Sequence, residues 1–163
     1  MGPFPMGTSV NIDHLLDLTR QLAAGSSKRP RQIELRRAVS SLYYAMFHAL
    51  ALMNANQIAG STRRRSDAWV RVYRALDHVK TKDELRRRDV RSLSPQIGQF
   101  AILFVELQDL RHEADYDPRP FAPNKQQVLA MISQAEKAIE GLETLPPDLR
   151  TQLAAIVLLK ARN

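Results

Sequence analysis

The chain has 163 residues, enough for one domain with a sizeable core. It lacks cysteine, which excludes disulfides and thiolate metal sites, and its formal charge of +7 points to an acidic partner such as nucleic acid. The start, "MGPFPMGTSV", lacks the pattern of a signal peptide, and the longest strongly apolar run, "FAILFVEL", is too short to span a bilayer. The expectation is a soluble, cytoplasmic protein with no membrane partner.

Helical periodicity recurs along the chain and period-two alternation does not persist, which predicts an all-α fold. Residues 1–10 are expected as a disordered tail. A first helix is predicted from Asn11, a good N-cap, to Ala24, ended by "GSSKRP". A long second helix follows Pro30 and covers residues 31–54. Its apolar residues Leu35, Val39, Leu42, Met46, Leu50 and Met53 make one stripe. After a loop holding Gly60, Ser66 caps a third helix that extends to about His78, and residues 80–91 hold another helical turn or two. Ser94 and Pro95 form a strong start for a fourth helix ending near Tyr116, stopped by "DPRPFAP". Asn124 and Gln127 resemble a capping box for a fifth helix to about Leu142, and Pro146 and Pro147 precede a short helix over 148–160. Short links between these elements imply an antiparallel bundle of four to five helices over residues 11–142, with a C-terminal amphipathic helix in 143–163. That last helix carries Leu149, Leu153, Ile156, Val157 and Leu159, and either packs on its own bundle or docks a partner.

The positive charge is concentrated. Between residues 63 and 91 stand eleven lysines or arginines against five acids. Arg63, Arg64, Arg65, Arg86, Arg87 and Arg88 are the candidate contacts to RNA phosphates, although such a run also serves as a plain solvated face. Trp69 and Tyr73 are the aromatic residues there, too few for a base-stacking platform.

Two polar groupings carry the chemistry. On the fourth helix, Ile97, Ala101, Phe104, Gln108, Arg111 and Asp115 form a stripe that begins apolar and ends charged. Arg111, His112, Asp115 and Tyr116 are the candidate catalytic residues: a planar cation for phosphate, an imidazole suited to proton transfer near neutrality, and a phenol donor. The same spacing makes an ordinary i,i+4 ion pair between Arg111 and Asp115. That pair has the weaker orientation, and its acid opposes the helix dipole. On the second helix Arg37, Ser41, Tyr44 and His48 share the face opposite the apolar stripe, as supporting groups, an interface or a solvated surface. His14 and His78 read as surface positions. No ligand spacing for a protein-held metal, glycine-rich phosphate loop or nucleophile elbow is present, so neither a metal nor a cofactor is expected.

"LRRAVSSLYYAMFHALAL" (residues 35–52), followed by "LRHEADYDP" (residues 110–118), resembles the HEPN superfamily. The likeness is to its branch with a Tyr-Tyr-Ala-x-Phe-His second helix and a later Arg-x-x-x-Asp-Tyr helix. The resemblance spans roughly residues 11–142, most of the chain, although only these two segments are distinctive. It implies a helical bundle that dimerises, with the later motif facing a cleft between subunits. Members are often metal-independent endoribonucleases of toxin–antitoxin or phage-defence systems, and some sit beside small nucleotidyltransferases. Others bind RNA or nucleotides without chemistry. Arg111 matches the motif's arginine, and Asp115 and Tyr116 its Asp-Tyr. Catalytic members carry a histidine separated from the arginine by four to six intervening residues, where this chain has Tyr116, Asp117 and Pro118. Arg71 and His78 fit that bare spacing but lie in the arginine-rich run, and the match reads as coincidence. The resemblance therefore implies an RNA-associated homodimer, with a nucleotidyltransferase-type or antitoxin partner. It is either a metal-independent endoribonuclease or a non-catalytic binder of RNA, a nucleotide or a protein.

Overall fold

In a computed structural model, which describes residues 11–25, 30–64 and 66–162, the described residues form eight α-helices and no strand. The tail expected at 1–10 and the contact expected at Arg65 lie outside the described residues. Helix α1 (Ile12–Ala24) begins where Asn11 Oδ1 accepts the amide of His14 at 3.1 Å. It ends at Gly25, with φ +67°, where a Cβ would stand 2.8 Å from Pro30 Cβ; glycine alone suits this turn. Helix α2 (Gln32–Ala55) continues into a π-helical turn (Asn56–Gly60) and a short 3-10 turn (Ser61–Arg63). All six residues of its apolar stripe are buried.

The next segment departs from the expected boundary, a helix through about His78 with further helical turns in residues 80–91. Helix α3 (Asp67–Arg74), capped by Ser66, stops early, and a separate α4 (His78–Arg86) begins. The break has a local cause: Asp77 is extended, and its carboxylate accepts the amide of Lys80 at 2.8 Å as an N-cap. His78 is therefore the first residue of a helix, not the last. A four-residue α5 (Arg88–Arg91) follows.

Helix α6 (Pro95–Tyr116) starts as expected, with Ser94 Oγ accepting the amide of Ile97 at 3.0 Å and Pro95 at its first position. Helix α7 (Lys125–Glu143) has both bonds of its Asn124–Gln127 capping box, at 2.9 Å each. Helix α8 (Pro147–Leu158) is the last helix among the described residues.

Helices α1, α2, α6 and α7 pack as the bundle. Tyr43, Leu42, Met46, Phe100, Phe104, Leu107 and Ile132 are fully buried at its centre. Each such large side chain contributes about 1.5–3 kcal/mol by leaving water. Helix α3 lies on α2, and α4 lies on α6 and α8. The C-terminal helix packs on its own bundle. Leu153, Ala154 and Val157 are buried, Lys80 Nζ donates to the carbonyls of Ile156 (2.9 Å) and Val157 (3.2 Å), and Gln57 donates to Thr151 Oγ1 at 2.9 Å. No helix among the described residues is long and apolar enough to cross a membrane.

Candidate functional site at the end of helix α6

The stripe on α6 opens gradually toward solvent. Ile97, Ala101, Phe104 and Gln108 are buried, the Arg111 side chain is 18% exposed and that of Asp115 36%. Across from its end, α2 supplies Ser40, Tyr43 and Tyr44. The Arg111 guanidinium lies over both phenol rings, 5.0 Å from the centroid of Tyr43 and 5.8 Å from that of Tyr44. Its polar contacts are weak by comparison. Nη1 donates to Tyr44 Oη at 3.5 Å and stands 3.5 Å from Asp115 Oδ2, both at the limit of such bonds. Its Nε is buried without a partner. Asp115 is better satisfied, its Oδ1 accepting the Ser40 hydroxyl at 2.7 Å. The ion pair anticipated from spacing therefore exists, but it leaves Nε without a partner.

Two histidines join this cluster from outside α6. His78 stacks on Phe47 with ring centroids 4.0 Å apart, and its Nδ1 is 2.6 Å from Tyr43 Oη. Gln108 Nε2 donates to the His78 carbonyl at 3.0 Å, and Lys82 pairs with Asp109, which fixes the start of α4 against α6. The reading of His78 as a surface position is thus corrected: the new N-cap at Asp77 turns it inward. His48 is arranged in parallel, with Nδ1 2.7 Å from Tyr73 Oη. Tyr73 in turn stacks on Trp69, whose indole donates to Asn56 Oδ1 at 3.0 Å. Tyr44 sits between the groups, its ring 6.2 Å from that of His78 and 6.4 Å from that of His48.

Burial holds the Tyr43 hydroxyl well above the usual phenol range, against the opposing pull of Arg111, and pushes Tyr73 up to about 12. Both phenols are therefore protonated, and each shares one hydrogen bond with an imidazole Nδ1 whose direction depends on the ring's tautomer. Burial lowers the pKa of His48, and His78 lowers it further; burial and then Arg111 lower that of His78, with Asp77 opposing. Both histidines are half-buried, and neither Nε2 is among the buried, unpartnered atoms of the described residues.

The expected catalytic four divide into two pairs. Arg111 and Asp115 face α2, whereas His112 and Tyr116 pack on each other, centroids 5.0 Å apart, on an adjoining exposed face. Those two line a shallow hollow of about 470 Å³ with Glu113 and the turn Asp117–Arg119. Of the supporting residues, Tyr44 and His48 belong to the Arg111 cluster, Ser41 is half-buried beside it, and Arg37 is exposed. Ser40, Tyr43, Tyr73 and His78 complete the cluster without having been singled out as site residues.

Arg36 was also missed. Its Nη1 donates to the carbonyls of Glu113 (3.1 Å), Ala114 (3.0 Å) and Asp117 (2.8 Å), its Nη2 to that of Arg119, and its guanidinium lies over Phe121. It caps α6, whose last turn holds no basic residue of its own. That uncapped end was the available clue.

Among the arginines expected on RNA, Arg63, Arg86 and Arg88 are exposed and Arg64 is half-buried. Arg87 is already paired with Glu84 (2.7 Å) and Asp89 (2.6 Å). No group of three or more His, Asp or Glu among the described residues is placed to hold a metal ion. Comparison with protein-family models, with characterised proteins and with solved structures finds no match.

Proposed function

We propose that the chain is a HEPN-like, RNA-associated protein whose Arg111 cluster recognises a phosphate of the RNA backbone. One observation carries the reading: a guanidinium braced on two tyrosine rings, with two marginal contacts and an unpartnered Nε. A half-buried cation left short of acceptors is costly, and a phosphate, which arginine grips bidentately, supplies what is missing. The net charge of +7 and the exposed Arg63, Arg86 and Arg88 suit the same polyanion. The two "YYAMFH" and "LRHEADYDP" segments do meet in space, through Ser40–Asp115 and Tyr44–Arg111, which supports the resemblance that suggested the family. On that resemblance rest the cytoplasmic homodimer, the nucleotidyltransferase-type or antitoxin partner, and the role in a toxin–antitoxin or defence system.

Two forms of this function differ in chemistry. The first is a metal-independent endoribonuclease. The second is a module that binds RNA, a nucleotide or a protein partner without cleavage; the separation of His112 from Arg111 favours it. The test is fluorescence anisotropy with a labelled single-stranded RNA at several salt concentrations. Arg111→Ala should weaken binding and flatten the log–log salt slope by about 0.7, the share of one phosphate contact on a single strand. Equal affinity and an equal slope for the two proteins would remove Arg111 from RNA recognition.

A further inference from the structure

The histidines of the Arg111 cluster have a geometry that simple structural packing does not require. Two imidazoles from different helices, His48 on α2 and His78 on α4, flank the same two rings, Phe47 and Tyr44. Each has its Nδ1 on a phenol hydroxyl, 2.7 and 2.6 Å away, and each belongs to a half-buried residue whose Nε2 is not among the buried, unpartnered atoms of the described residues. A phenol both donates and accepts, so it serves an imidazole whose Nδ1 is bare and equally one whose Nδ1 is protonated. Both rings can therefore gain or lose a proton at Nε2 without breaking their anchor. Tyr44 adjoins both of them and Arg111.

We propose that His48 and His78, rather than His112, are the proton-transfer pair of this site, and that with Arg111 they cleave RNA by transesterification. This rests on the reading of Arg111 as the phosphate-binding group. One neutral imidazole takes the proton of a ribose 2′-hydroxyl, and the 2′-oxygen bonds to phosphorus. The bond from phosphorus to the 5′-oxygen breaks, and the other imidazole, entering as imidazolium, gives its Nε2 proton to that oxygen. The products are a 2′,3′-cyclic phosphate and a 5′-hydroxyl, and no electron is exchanged. Arg111 stabilises the charge that accumulates on the phosphoryl oxygens.

The groups facing His78 are Tyr43 and Tyr44 from α2, Arg111 from α6, Asp77 beside it and His48; those facing His48 are Tyr44, Tyr73 and His78. With both imidazoles below their usual pKa, the rate should follow a bell in pH whose maximum lies on the acidic side of about 6.5.

The experiment incubates the full chain with 5′-labelled single-stranded RNA in EDTA, alongside DNA of the same sequence, and follows binding in parallel. Wild type is expected to cut RNA only, leaving cyclic phosphate ends. His48→Gln and His78→Gln should each lose roughly 100-fold or more in rate with binding retained. Cleavage that survives both substitutions, or that is lost only in His112→Gln, overturns the assignment. Binding without cleavage by wild type overturns it as well and leaves Arg111 as a recognition group; loss of the Arg111 effect on binding is a separate failure, of the underlying reading. If a glutamine variant loses its helical circular dichroism, Tyr73→Phe decides, because it removes the anchor of His48 and keeps the ring. An unchanged rate and pH profile in Tyr73→Phe then refutes the proposal.

Discussion

Replacing Arg36 by alanine removes the side chain that, among the described residues, caps the C-terminal end of α6. Four carbonyls, those of Glu113, Ala114, Asp117 and Arg119, lose a charged donor together. A hydrogen bond to a charged group contributes about 1.5–3 kcal/mol when well shielded, and a cation at a helix C-terminus about 0.3–1 kcal/mol. Glu113 and Arg119 are exposed, so water replaces much of what their carbonyls lose. Ala114 is buried, and its carbonyl suffers most. The net cost is expected at about 2 kcal/mol, which for a chain of this size lowers Tm by roughly 4–8 °C. Arg36→Lys should fall between, since a single ammonium cannot span four acceptors. Arg37→Ala, one residue along on the exposed side, should change stability by less than about 0.5 kcal/mol. Thermal and urea denaturation followed by circular dichroism measure all three. Hydrogen exchange should place the loss of protection in the last turn of α6, beside Asp115. A Tm for Arg36→Ala within one degree of wild type would refute the capping role.

Further outcomes follow from the same packing. Gly98→Ala should destabilise by about 1–3 kcal/mol, because a Cβ there would stand 2.9 Å from the Arg91 carbonyl oxygen, a clash with backbone that cannot rotate away; equal urea midpoints would contradict it. His48 and His78 both have folded pKa values below the unfolded value, so the unfolded chain binds their protons first. Their contribution to stability is complete above about pH 6.5 and is lost as pH falls below it. Urea midpoints at pH 7.5 and 5.5 should show the drop, and it should shrink in His48→Gln. Lys80→Met should loosen the end of α8, seen as faster hydrogen exchange at residues 155–159 with the core unchanged; equal exchange would show that α8 is held by apolar packing alone.

How legible the site was depends on whether its determinants are local. Ser94-Pro95 and Asn124–Gln127 were readable because a cap and its acceptor lie within three residues of each other. The Arg111–Asp115 pair was likewise readable from its i,i+4 spacing. The start of helix α4 was not, because Asp77 within "RALDHVK" is equally at home inside an exposed helix, and only the extended backbone at that residue makes it a cap. Losing that boundary hid His78, which the new helix start carries onto Phe47 and Tyr43. Tyr43 was hidden differently: it lies beside the apolar stripe of α2, and nothing local distinguishes a core tyrosine from one that orients an imidazole. Arg36 and Arg37 are indistinguishable by composition; the turn after α6, about eighty residues away, separates their roles.

The central claim is that Arg111 receives a phosphate, and its unpartnered Nε is the atom to watch. Side-chain 15N–1H spectra of the arginine Nε region, with Arg111→Lys to identify the signal, can be recorded while a short single-stranded RNA is added. The expected result is a saturable shift of the Arg111 Nε–H signal at the RNA concentration that half-fills the protein. Saturation of binding with the Arg111 signal unmoved, while other arginines respond, would contradict the account and place RNA elsewhere on the molecule.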